Sequence, residues 1–205
     1  MNIKSLVFLA LASGIIVSST TWADELPANL FTEPVFTASP DGSIVGWRQG
    51  GFVGGNPETN KNYDNSATLI TENEQTFIRV NCDPSQPNFF NFAVTAPARF
   101  PLLPEWSSIE LSARIKVSEY VQGSPWGGFN LWLIFYDVEG QKLDDSQTSL
   151  RIKMDQDWTD SKQVFQVPAG AVEVEFNLWW LAAGGVAEVS NLVLKPLAAA
   201  PEVQP

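Results

Sequence analysis

The 205-residue chain contains no histidine. That absence removes Ser-His-Asp and Cys-His catalysis and every metal site built on imidazole. There is one cysteine, Cys82, so neither an internal disulfide nor a thiolate metal cluster can form. Its neighbours Asn81 and Asp83 give no basic surroundings that would favour a thiolate, and Cys82 reads as a small buried hydrophobe. Charged residues make up only 17% of the chain, and basic ones are few: 12 against 23 acidic, a formal net charge of −11. Such a chain repels phosphate backbones and anionic lipid surfaces, so nucleic acid is not an expected partner. No long segment repeats its apolar residues every 3.6 positions, and no fixed-period repeat is present. Helical bundles, solenoids and propellers are therefore disfavoured. There is no N-x-Ser/Thr acceptor for glycosylation.

The longest apolar run, Leu6 to Val17, follows Lys4 and precedes Thr21, Trp22 and Ala23. It is shorter than the roughly 20 residues of a membrane span and has the layout of a secretory signal cut before Asp24. No membrane insertion is expected, and an exported chain, secreted or periplasmic, is. Without Lys4 the remainder carries 11 basic and 23 acidic residues, a net −12. The expected organisation is a signal over 1–23, one domain over 24–196 and a disordered Pro/Ala-rich tail over 197–205.

What the chain does have is short alternating stretches between turn signals. The most informative is Trp126 to Tyr136. As a strand it puts Phe129, Leu131, Leu133 and Phe135 on one face, and Trp126, Asn130, Trp132, Ile134 and Tyr136 on the other. Val172 to Leu181 repeats the arrangement. Val174, Phe176, Leu178 and Trp180 share one face; Glu175, Asn177 and Trp179 share the other. Further strands are expected over Ser43–Gln49, Ala67–Thr71 and Thr76–Asn81 (a hairpin through ENEQ), Asn88–Thr95, Ile109–Val117, Leu150–Met154, Gln163–Val167 and Val186–Leu194. DVEG at 137–140, DQDW at 155–158 and AAGG at 182–185 read as turns, 50–66 as a surface loop, and 96–108, with three prolines, as irregular. About ten or eleven such strands predict an all-β fold, an antiparallel two-sheet β-sandwich.

Aromatic rings stack on the apolar faces of sugars, while amides and guanidinium groups hydrogen-bond hydroxyls. Trp132 and Trp179 beside Asn130 and Asn177 fit that chemistry, with Trp126, Tyr136, Arg114 and Arg151 as extensions of the same face. Trp47, Trp106 and Trp158, near turns, are assigned to the core or its rim. Carboxylate pairs that could support glycoside hydrolysis are Asp137/Glu139, Asp144/Asp145 and Glu173/Glu175. The first two sit in turns, and the Glu-x-Asp-x-x-Glu pattern of sandwich-fold family 16 glycoside hydrolases is absent. A non-catalytic reading is preferred.

The order and spacing of GSIVGW, LSARIKV, LWLIFYDVEGQKL, DWTDSKQVFQVPAGAVEVEF and AEVSNLVLKP resemble the jelly-roll carbohydrate-binding modules of the family 4, 9, 16 and 22 type, galactose-binding-like sandwiches. The resemblance spans residues 29–196. It implies a two-sheet jelly roll that binds poly- or oligosaccharide on a sheet or at a loop edge. Such modules often hold a structural calcium between an early Glu and an Asp on the last strand. Glu33 fits the first; the second position reads Ser190-Asn191, without the acidic residue, so no cofactor is expected and a structural calcium stays open as the alternative. The leading expectation is an exported carbohydrate-binding protein. Two alternatives stay open: an envelope assembly protein using the aromatic face as a protein interface, and a small glycan hydrolase or lyase.

Overall fold

The computed structural model describes residues 27, 29–31, 36–40, 43–50, 66–85, 91–143 and 148–198. The signal-like segment, most of the 50–66 loop, Glu33, Asp144/Asp145 and the end of the tail lie outside the described residues. Among those described, no helix is long and apolar enough to cross a membrane. They form eleven strands: β1 (Arg48–Gly50), β2 (Ser66–Glu72), β3 (Gln75–Cys82), β4 (Asn91–Thr95), β5 (Phe100–Pro101), β6 (Trp106–Gln122), β7 (Gly128–Tyr136), β8 (Thr148–Ile152), β9 (Gln156–Gln166), β10 (Glu173–Leu181) and β11 (Ala183–Ala198).

All pairings are antiparallel. One sheet runs β1-β4-β10-β7-β8, with β5 also on β10; the other runs β2-β3-β11-β6-β9. The core lies between them and follows from alternation along each strand. From the first sheet it takes Phe129, Leu131, Leu133 and Phe135 of β7 and Val174, Phe176, Leu178 and Trp180 of β10, all fully buried. From the second it takes Ile78, Val80, Ile109, Leu111, Ile115 and Val189, also fully buried. A buried indole N–H usually finds a partner. Trp180 Nε1 donates to the Val80 carbonyl across the sandwich at 3.1 Å. Trp47 and Trp106 join the core, Trp47 against Phe31, Phe36 and Phe176. Cys82 is fully buried, and burial pushes its thiol pKa well up, as does the adjacent Asp83 charge.

The β2–β3 hairpin turns on Asn73 and Glu74, both at positive φ (51° and 64°), the conformation whose twist suits a two-residue hairpin loop. Other boundaries depart from the alternation reading. β6 is 17 residues long, because residues on both sides of 109–117 continue to pair with β11. The proline-rich 96–108 segment still contributes β5, a two-residue pairing with the start of β10 that asks little of Pro101. DQDW is not a turn beyond its first residue, since β9 starts at Gln156, and Met154 lies past β8 and is exposed. AAGG is not a hairpin turn. Ala182, at φ 44°, carries the chain from one sheet to the other, and Gly184 and Gly185 already belong to β11. Gly185 sits at a register shift, where a Cβ would lie 2.8 Å from the Ser118 and Glu119 carbonyls. Leu197 and Ala198, assigned to the tail, pair with Ser108 and Trp106 of β6.

Candidate functional site

The outer face of the first sheet is built in rows, because antiparallel register puts side chains of paired residues side by side. One row crosses the sheet as Arg48, Thr95, Asn177, Trp132 and Ser149. The next, two residues along each strand, is Gly50, Ala93, Trp179, Asn130 and Arg151. Gly50 and Ala93 supply almost no bulk beside the Trp179 ring. A depression results on the β1 side of the tryptophan. It is a cleft of about 380 Å³ whose lining includes Arg48, Gly50, Thr95, Tyr136, Lys142, Glu175, Asn177 and Trp179. That volume falls at the small end of the roughly 300–1,000 Å³ range of ligand pockets.

Trp132 and Trp179 stack with ring centroids 4.3 Å apart and planes 21° from parallel. They are not equivalent. Trp132 is buried at 6% exposure and does not line the cleft, whereas Trp179 is half-buried and does. Trp132 is thus the support on which Trp179 rests. On the cleft floor, Asn177 accepts a hydrogen bond from Thr95 Oγ1 at 2.6 Å and donates through Nδ2 to Glu175 Oε1 at 3.4 Å. Arg48 Nη2 meets the other Glu175 oxygen at 3.2 Å. The Arg99 guanidinium lies 3.4 Å from the centroid of the Tyr136 ring and pairs with Glu173 at 3.3 Å. Burial raises the Tyr136 pKa above 10.0, the negative Glu175 beside it adds to that, and Arg99 opposes it. The phenol therefore stays protonated, a hydrogen-bond donor at neutral pH. Together the cleft offers an aromatic ring, an amide, a hydroxyl, a phenol and a tethered carboxylate–guanidinium pair.

The face holds most of the residues singled out from the sequence, but not in the roles their parity suggests. Asn130 is fully buried and satisfied internally. Its Nδ2 donates to the Gly128 carbonyl (2.8 Å) and the Trp179 carbonyl (3.3 Å), and its Oδ1 accepts from Arg151 Nε (2.7 Å). Arg151 also reaches the Trp126 carbonyl at 2.9 Å, so the two side chains clamp the 123–127 turn onto the sheet. Trp126 itself precedes β7 and is 55% exposed, off the row pattern. Arg114 is the clear correction. It stands on β6 of the other sheet, paired in register with Ser190 and Asp160, with its guanidinium 5.6 Å from the Trp158 ring. Alternation assigns a side chain to a face of its own sheet and is silent about which sheet that is. Trp158 follows Arg114 to that outer surface, edge-on to Phe77, rather than into the core or its rim. Sequence reasoning missed Arg48, Gly50, Thr95 and Lys142. The available signals were the odd position of Arg48 beside Trp47 and the small residues Gly50 and Ala93, which mean little until β1 and β4 are placed beside β10.

Among the described residues no cluster of three or more potential ligands could hold a metal ion. Ser190 and Asn191 fall at a β-bulge in β11, and Asn191 has φ 51°.

The chain is a two-sheet antiparallel β-sandwich with an aromatic cleft on an outer face, and several solved structures are similar to it. The enzymatically active domain of a tailspike protein of bacteriophage CBA120 superposes with a TM-score of 0.57 at 15% identity, covering 83% of this chain. The chain spans 22% of that protein's length, and the likeness is one of fold. A family 11 carbohydrate-binding module from Clostridium thermocellum, solved with a β-1,3-1,4-mixed-linked tetrasaccharide, gives 0.46 at 11% identity over 80% of this chain and 95% of the module. A family 22 xylan-binding domain from Paenibacillus barcinonensis gives 0.44 at 11% identity over 84% and 94%. No protein-family model and no curated protein sequence matches the chain.

Proposed function

We propose that the protein is an exported, non-catalytic glycan-binding protein, and that the cleft beside Trp179 is its site. The observation that carries the reading is the cleft's composition. A tryptophan backed by a second stacked ring gives a flat, stiff apolar wall, and Asn177, Thr95, Tyr136 and the Arg48–Glu175 pair present donors and acceptors beside it. That mixture suits a sugar, which has apolar C–H faces and a rim of hydroxyls. The volume leaves room for about one or two sugar rings.

A binding role is favoured over hydrolysis by the state of the carboxylates. Glu175 and Glu173, the pair on this face, each meet a guanidinium, Arg48 and Arg99. Neither stands ready as a general acid facing a second free carboxylate across a bound ring. Export rests on the Lys4, Leu6–Val17 and Thr21–Ala23 layout. Titration of the protein with a panel of oligosaccharides, followed by calorimetry and product analysis, tests the reading. Saturable binding without chain cleavage is expected. Release of shortened products, abolished by Glu175→Gln, would assign the cleft to a hydrolase or lyase instead.

A further inference from the structure

The charges around the cleft are not evenly matched. Arg48 is tied to Glu175 and Arg99 to Glu173. Arg151 is engaged by Asn130 and by the Trp126 carbonyl. Lys142 differs. It lines the cleft, it is exposed, and among the described residues no carboxylate lies within ion-pair distance of its ammonium. Its backbone is fixed by a bridge to Tyr136, and its Nζ stands 5.8 Å from the centroid of the Trp132 ring, at the stack that carries Trp179. The sheet order places Arg48 on β1, on one side of Asn177 and Trp179, and Lys142 beyond β7, on the other. With Glu175 as the one carboxylate among the described lining residues, a ligand in the cleft meets two cations and one anion from them. This is a locally positive site on a chain of net charge −11.

Resting on the glycan-binding reading, we propose that the cleft selects sugars that carry a carboxylate, uronic acids above all, and that Lys142 is the residue that recognises the charge. A neutral sugar in contact with Lys142 would gain little from an ammonium that keeps its water. A carboxylate would gain a charge-assisted hydrogen bond, shorter and stronger than a neutral one. The surrounding negative charge does not forbid this. At physiological salt, charges beyond about 8 Å are largely screened, and Lys142 acts inside that distance.

The test is calorimetric titration of the full chain and of Lys142→Gln with two oligosaccharide panels, one neutral and one of uronates, matched in ring number and linkage, each at low and high salt. Lys142 is exposed, so an unchanged thermal midpoint in the variant will show that folding is kept. The expected result is at least about a tenfold preference for the uronate panel at low salt. That preference should shrink as salt is raised and disappear in Lys142→Gln. Equal or tighter binding of neutral sugars, or a uronate preference that survives Lys142→Gln, would overturn the inference and leave the glycan-binding reading standing. A folded protein that binds neither panel would overturn both.

Discussion

Trp132 and Trp179 sit a diagonal step apart on neighbouring strands, with the same parity and each with an asparagine in register, Asn177 and Asn130. Their consequences on mutation should nonetheless differ. Trp132 is covered by the ring of Trp179, so Trp132→Ala opens a hole under the stack and is expected to cost about 3 kcal/mol of stability. Trp179→Ala removes the upper ring and should cost well under half of that in stability, about 1 kcal/mol, while glycan affinity falls by about tenfold or more. Denaturant unfolding of the two variants side by side checks the order; equal losses would mean that both rings are structural. Parity was readable in the sequence because it is a property of one strand. The division of labour was not, because it depends on which ring lies beneath the other and on hydrogen bonds such as those that consume Asn130. Cys82 was readable as inert: its fully buried, protonated thiol is expected to resist alkylation in the folded protein and to react only on unfolding, as mass spectrometry would show.

Between elements, the telling places are those where glycine sets how closely two backbones approach. Gly127 lies where a Cβ would be 2.2 Å from the Ala182 carbonyl oxygen, which also accepts the N–H groups of Gly123 and Ser124. Gly127→Ala must push the 123–127 turn away from the β10–β11 crossing, and a loss of about 2 kcal/mol or more is expected in the same unfolding assay. Gly50 is the contrast. Among the described residues nothing lies within 4 Å of a Cβ built there, and its partner Ala93 faces the cleft. Gly50→Leu should therefore leave the midpoint nearly unchanged and lower glycan affinity by occupying the empty part of the row; undiminished affinity would place the ligand elsewhere. The strands themselves were legible from alternation over β7, β10 and the centre of β6. Their neighbours were not. AAGG has turn composition yet serves as a sheet crossing, and Arg114 has the right face on the wrong sheet, because pairing partners distant in sequence leave no local mark.

The whole molecule gives a further handle through pH. Cys82, Tyr120 and Tyr136 all have pKa values raised by burial above their ordinary 9.0 and 10.0. In each case the folded state holds its proton more tightly than the unfolded chain. The stability from these groups is complete below about pH 8 and is lost as pH rises through 9 and 10 and toward the raised folded values. Thermal midpoints should fall steadily above pH 9, and Tyr136→Phe should reduce that slope; a flat profile to pH 11 would contradict it. The two-sheet class was visible at this scale because a chain without helical periodicity, broken every few residues by turn signals, has few other ways to bury its apolar faces. The cleft was not, since it exists only where β1, β4, β10 and β7 come together. The decisive measurement is tryptophan fluorescence of the folded chain titrated with glycans, in parallel with Trp179→Ala. The result expected is a saturable spectral shift in the native protein that is lost in the variant while the fold is kept. Binding that survives Trp179→Ala unchanged, or a folded native protein that responds to no glycan, would contradict the site.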